Sequence, residues 1–173
     1  MQNGLRVSKS KTAKKWVKEK KLDVVLADLC YCSGQHHHGK PPEYKKELAE
    51  IGFLKQSDVG TNNGETPYQV FGKSSIVFPL RNENDKVVSF YAKRIDIEKE
   101  EFLKREGLYP SYPHPSTKRI YLTKNLLAAA MVISSKILDN KEAVISLYNG
   151  EWTTEHLKAI ENLKELKEII YLP

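Results

Sequence analysis

Three groups of residues in this sequence have types and spacings that can do chemistry. The first is Cys30 and Cys32, followed closely by His36, His37 and His38. Thiolate and imidazole donors this near one another are the set Zn²⁺ takes, with Cys30, Cys32, His36 and His38 as candidate ligands. The simpler reading is a polar loop with Cys30 packed in the core and both thiols reduced, because a one-residue separation suits a disulfide poorly. The second group is the cations around SSIVFPLRNENDKVVSFYAKRI, residues 74–95: Lys73 before it, Arg81 at the turn, Lys93 and Arg94 at its far end. Together with Lys14 and Lys15 near the N-terminus, they are candidates for holding a phosphate backbone. Surface strands also end in lysine and arginine to stay soluble and to block edge pairing. The third group is Thr123–Lys124–Asn125 and Asn149–Gly150–Glu151, each following a short apolar run. A Mg²⁺-dependent phosphoryl-transfer site there needs several carboxylates around the hard ion. Glu151 is the one acid in these two stretches; Lys124 can instead contact a phosphate directly or point to water.

The elements that must position these residues fall into two kinds. Residues 12–22 predict a short helix capped by Thr12, 23–32 an apolar segment, 33–42 a loop, and 43–54 a helix ending near Gly52. A Gly/Asn-rich loop over 56–73 leads into an edge strand, and the runs IVFPL and VVSFYA around NEND predict a β-hairpin. Pro79 cannot donate to a ladder, so it belongs at an edge or a bulge. From residue 119 the pattern becomes strand 119–123, helix 125–138, strand 142–148, helix 153–166, strand 168–172. That alternation predicts a parallel α/β unit with right-handed crossovers. Ligands of such sheets bind at the carboxyl ends of the strands, where Lys124 and Glu151 lie. The fold class is therefore an α+β N-terminal part with a β-hairpin and antiparallel sheet, followed by a partial α/β parallel sheet. The units are a basic arm over 1–22, an N-terminal subdomain over 23–110, a connector over 111–118 and the α/β part over 119–173. A strand at the end of that unit makes it look truncated.

The 173 residues suit one domain or two small subdomains sharing a core. With 40% hydrophobic and 29% charged residues, the composition is that of a globular protein. No apolar run reaches membrane-span length and no secretory signal is apparent, so the chain reads as cytoplasmic, with no membrane partner. The net charge of +6 is concentrated at one end. Residues 1–21 hold eight lysines and arginines against Glu19, whereas the other 152 residues hold 20 basic and 21 acidic side chains. The arm is either a phosphate-binding element or a solvated terminus. Tyr109, Tyr112 and His114 in the proline-rich stretch can stack on bases or pack an ordered linker, and Trp16 and Trp152 suit core or staple roles.

Taken in order, these segments resemble the RNA-polymerase core of bacterial DnaG-type primases. SIVFPLRNENDKVVSFYAKR is similar to that family's hairpin, with FPLR and VVSF in register. AKKWVKEKKLDVVLADLCYCSG resembles its helical entry, and PEYKKELAEIGFL the helix that follows. AVISLYNGEWTTEHLKAIENLKELKEIIYL resembles the second strand, helix and third strand of its Toprim fold. The resemblance covers roughly residues 13–172 and implies a basic ridge guiding single-stranded DNA, with Lys73, Arg81, Lys93 and Arg94 where the family's basic residues lie. Ser75 stands where the family usually has arginine. It also implies partners such as a replication helicase or recombination protein.

The departures concern the chemistry. The family's first Toprim motif is Glu-Gly-x-x-Asp after the first strand; here the aligned run is Lys124, Asn125, Leu126, Leu127 and Ala128. Lys124 and Ala128 thus occupy the two acid positions, with Glu151 as the nearest substitute. The Asp-x-Asp motif expected after the third strand and the family's zinc module are not in this sequence. The resemblance therefore implies a nucleic-acid-binding protein of a replication system or mobile element that does not make primers, with Mg²⁺ involved only if a complete acid set exists elsewhere. Two alternatives stay open: a scaffold module that keeps only the fold, and a fragment of an active primase.

Overall fold

The computed structural model describes Val7, residues 10–57 and residues 68–173. Arg6 and Lys9 of the basic arm, and residues 58–67 of the predicted long loop, lie outside the described residues. Helix α1 (Lys11–Glu19) buries Ala13 and Val17, one turn apart, and leaves its lysines in solvent. Its cap is Ser10 rather than Thr12: the Ser10 hydroxyl accepts from the Ala13 N–H at 3.2 Å, satisfying one of the free donors of the first turn. The apolar segment after it is a turn leading into strand β1 (Cys30–Cys32). Helix α2 (Pro42–Glu50) follows. Strands β2 (Leu54–Gln56) and β3 (Tyr68–Val70) then pair antiparallel, with Leu48 of α2 packed on Leu54 and Val70.

The predicted hairpin is β4 (Ser75–Arg81) and β5 (Val87–Arg94), in register from Ser75 opposite Arg94 to Leu80 opposite Ser89. The Asn82 side chain closes the turn by accepting the N–H groups of Asn84 and Lys86, each at 3.1 Å. Strand β6 (Glu100–Phe102) adds to β5, giving the sheet order β1-β4-β5-β6. Pro79 meets its constraint in an interior strand. β1 covers β4 only as far as Val77, the next bond on that side is the Arg81–Leu108 bridge, and Pro79 lies in the gap between them.

The parallel unit comprises β7 (Arg119–Thr123), α3 (Leu126–Ser135), β8 (Glu142–Ser146), α4 (Thr154–Glu161) and β9 (Glu168–Leu172), with sheet order β8-β7-β9. Alternation along β8 decides the layering. Val144 packs with Leu126, Ala129 and Ala130 of α3 and with Ile76, Phe78, Leu80 and Tyr91 of the hairpin. Ile145 packs instead with Ile120, Leu122 and Ala159 of α4. Helix α3 is therefore wedged between the antiparallel and parallel sheets, which is why its sequence is apolar on more than one face. The two halves share one core. The residues just before the connector are buried too: Tyr109 lies in this core, its hydroxyl donating to the Ala27 carbonyl at 2.7 Å, and Leu108 packs with Ile120 and Leu122 in the second cluster.

Candidate nucleic-acid interface

Two places in this fold collect residues with binding chemistry. The first is the crest of the parallel sheet. The chain leaves β7 toward α3 on one face and leaves β8 toward α4 on the other, which opens a crevice between the two strand ends. Asn125 caps α3, its side chain accepting from the Ala128 N–H at 3.0 Å. The Gly150 N–H donates to the Lys124 carbonyl at 2.8 Å, and the Leu147 N–H to the Thr123 carbonyl at 2.8 Å, so the two loops form one rigid lip. Below it, His156 is completely buried. Its Nδ1 accepts from the Thr153 N–H at 3.0 Å and its Nε2 donates to the Ser146 carbonyl at 2.8 Å. Burial holds its pKa below the ordinary histidine value.

The structure thus brings Lys124, Asn125 and Glu151 together. Lys124 is exposed and makes no ion pair among the described residues. Glu151 is bound to Arg105, whose guanidinium also lies over the Phe102 ring. With an ammonium, an amide, a methyl and one carboxylate already matched to a guanidinium, this crest lacks the oxygen donors that Mg²⁺ requires, and the residues present do not fit that ion.

The second place is the surface around the hairpin ends. Arg81 donates to Asp28 and to the Asp85 carbonyl, both at 2.7 Å. Lys93 pairs with Glu98 at 2.9 Å and lies 3.8 Å from Glu100. Arg94 grips Asp96 through two hydrogen bonds of 2.8 and 2.6 Å, which hold the Asp96 carboxyl below its usual range. Three of the four hairpin cations named by the sequence are therefore matched to carboxylates. Lys73 is exposed and unmatched among the described residues. Lys14 and Lys15 are exposed on α1, with Lys15 3.8 Å from Glu19.

Lys73 opens onto a cleft of about 810 Å³, between the β2–β3 pair and the β5–β6 turn. Among the described residues, Lys55, Arg94 and Lys99 line it as well, against one carboxylate, Glu101. Sequence reasoning missed Lys55 and Lys99. Neither belongs to a motif, and only the fold brings them beside Lys73.

The cysteine–histidine group packs against the same end of the sheet. Cys32 is buried, 3.9 Å from His36 Nδ1 and 3.7 Å from the Phe71 carbonyl, and burial raises its thiol pKa. His37 stacks edge-on to His38 and Tyr68. Cys30 lies half-buried beside Phe53, Phe90 and Leu103. Among the described residues no three histidine, cysteine or acidic side chains are arranged to hold a metal ion, so the geometry joins Cys32 to His36 without assembling the four candidate ligands. Of the aromatic residues in the proline-rich stretch, Tyr109 is closed off in the core, Tyr112 is bonded to Glu155, and His114 is exposed beside Ser116. Trp152 is 40% exposed at the lip, edge-on to His156.

No protein-family model matches this chain, and no curated protein matches it. Solved structures do. The structure of a DnaG primase catalytic domain bound to ssDNA superposes with a TM-score of 0.66 at 14% identity, covering 93% of this chain and 53% of that one. The Escherichia coli primase catalytic core gives 0.64 at 15% identity, covering 95% and 55%. The Aquifex aeolicus primase, with zinc-binding and RNA polymerase domains, gives 0.67 at 16% identity, covering 96% and 44%. The chain spans about half the length of these structures, and its fold is that of the DnaG primase core.

Proposed function

We propose that this protein is a primase-like nucleic-acid-binding protein that holds single-stranded DNA and does not synthesise primers. The observation that carries the second half is the crest. Lys124 and Ala128 stand where the resemblance calls for acids, and Glu151 is committed to Arg105. A site that gathers divalent cations needs several oxygen donors, and here an ammonium and a methyl group stand in place of two of them. The first half rests on the fold, shared with a primase domain that was solved with ssDNA bound, and on the basic residues at the hairpin ends. Lys73 is open to a phosphate directly. Arg81, Lys93 and Arg94 would exchange a carboxylate for a phosphate oxygen, and Lys14 and Lys15 add charge from α1. A place in a bacterial or mobile-element replication system, beside a helicase or recombination protein in the cytoplasm, belongs to the same reading.

The test pairs two assays on the full chain. Fluorescence anisotropy of a labelled single-stranded oligonucleotide should show binding whose affinity falls linearly in log salt. Template-dependent incorporation of ribonucleotides with Mg²⁺ or Mn²⁺ should stay at background. Absence of strand binding at low salt overturns the binding half, and primer products overturn the inactive half.

A scaffold reading is favoured by one observation. Strand β9 has a neighbour on only one side among the described residues and carries Ile169 and Tyr171 at 37% and 63% exposure. Such an edge can take up a strand from a partner.

A further inference from the structure

The cleft beneath Lys73 has features that the hairpin surface lacks. Its cations come from separate parts of the chain: Lys55 from β2, Lys73 from the turn before β4, Arg94 from the end of β5 and Lys99 from the turn before β6. Lys55, Lys73 and Lys99 have exposed side chains that make no ion pair or hydrogen bond among the described residues. Glu101, the one carboxylate on the wall among the described residues, is already engaged, accepting the Gly72 N–H at 2.9 Å. The stem of Lys73 is also guided. Gly34, at φ +82°, lies so close beneath it that a Cβ there would come within 2.6 Å of Lys73 Cγ. At the hairpin ends Arg81, Lys93 and Arg94 each have a carboxylate; here three ammonium groups without one among the described residues surround a concavity with a volume of about 810 Å³. Like charges converge at a cost unless an anion joins them.

We infer that this cleft is a binding site for consecutive phosphates, held by Lys55, Lys73 and Lys99, with Arg94 at its wall. The inference deepens the proposed function and rests on it for the identity of the ligand. The volume falls within the range of ligand-binding clefts. That chemistry has two sources, the backbone of a single strand and the triphosphate tail of a nucleotide. On this assignment, phosphates enter the cleft first, and the clamped cations Arg81 and Lys93 contribute less to affinity than the three unpaired lysines.

The experiment uses the full chain, a fluorescein-labelled twelve-nucleotide oligothymidylate, and inorganic triphosphate as competitor and as a separate calorimetric titrant. Three proteins are compared: the parent, Lys55→Glu/Lys73→Glu/Lys99→Glu, and Arg81→Glu/Lys93→Glu. A Lys→Gln version of the triple variant accompanies them, and circular dichroism checks that each is folded. The cleft variant should lose at least about tenfold in strand affinity at low salt, with a log-salt slope shallower by about 2 for three lost phosphate contacts. The Gln version should show the same direction with a smaller loss, and the hairpin variant should lose less affinity than the cleft variant, because its cations must first give up their carboxylates. Triphosphate that competes with the strand, and binds the parent but not the cleft variant, extends the site to nucleotides; triphosphate that does not compete assigns it to the strand. Loss confined to the hairpin variant overturns the cleft and leaves the proposed function standing. Triphosphate binding that depends on the three lysines, with no strand binding at all, keeps the cleft and overturns the strand-binding function. A parent protein that binds neither probe overturns both.

Discussion

The backbone N–H of Gly150 donates to the carbonyl of Lys124 at 2.8 Å, joining the two loops that rim the parallel sheet. Gly150 has φ +87°, and a Cβ there would find its nearest neighbour, Lys124 Cγ, at 3.9 Å. Space is available, so the cost of a side chain is backbone conformation alone. Gly150→Ala should lower stability by about 1–2 kcal/mol, read from the urea midpoint, without changing the circular dichroism spectrum.

Gly34 makes the opposite case, since both its φ of +82° and the Lys73 stem oppose a Cβ. Gly34→Ala should cost about 1–3 kcal/mol and push Lys73 off its course. Stability and strand affinity should fall together, whereas Gly150→Ala should leave affinity unchanged.

His156 predicts how stability depends on pH. Its folded-state pKa lies below the ordinary value because the ring is buried, and its Nδ1 must stay unprotonated to accept the Thr153 N–H. The unfolded chain therefore takes up the proton first. The stabilisation is complete above the ordinary histidine pKa of about 6.5 and is lost progressively as pH falls from there through the depressed value. His36 and His37, also depressed by burial, act in the same direction. Urea midpoints from pH 8 to pH 5 should decline on the acid side, and His156→Gln should flatten part of that decline while lowering the plateau. A pH profile unchanged by the substitution would exclude His156 as a source.

Arg81 ties the hairpin tip to Asp28 at 2.7 Å, across 53 positions of sequence. Its side chain is only 23% exposed, yet Asp28 is largely in water. Arg81→Ala should cost about 1 kcal/mol of stability, near the upper end for exposed pairs. Asp28→Ala should cost less, because Arg81 keeps its bond to the Asp85 carbonyl.

Phe78 lies edge-on to Tyr91 and Tyr109, with ring centroids 5.5 and 5.3 Å away, in the cluster that also holds the buried face of α3. Phe78→Ala should lower stability by about 3–5 kcal/mol. Because both sheets share that cluster, fluorescence and circular dichroism should report one coincident transition in parent and variant. Two separated transitions would show that the halves are independent.

The sequence made the long elements legible because their patterns are local. The hairpin showed two β-branched and aromatic runs around a polar turn, and the parallel unit showed strands alternating with helices. Short strands were missed for the same reason. β6 is Glu-Glu-Phe, three residues with no apolar alternation, and it is a strand only because β5 offers it an edge. α4 ends at Glu161 rather than 166 because the chain turns at Asn162 and Leu163, whose N–H returns to the Ile160 carbonyl at 3.0 Å. Of the candidate site, the crest was readable from where strands end and helices begin. The state of the hairpin cations was not, since pairing Arg81 with Asp28, or Lys93 with Glu98 and Glu100, depends on the folded surface. Lys55 and Lys99 carried no local signal at all.

The placement of α3 also governs how the protein is made. The inner face of the hairpin, with Ile76, Phe78, Leu80 and Tyr91, is covered by a helix that begins at Leu126. On the ribosome, that face can be met first by Ala13, Val17, Leu22, Ala27 and Leu29, which precede it, and its covering is completed only when α3 has cleared the exit tunnel. A chain ending before Leu126 would lack the Leu126, Ala129 and Ala130 side of that cluster and should expose apolar surface during folding.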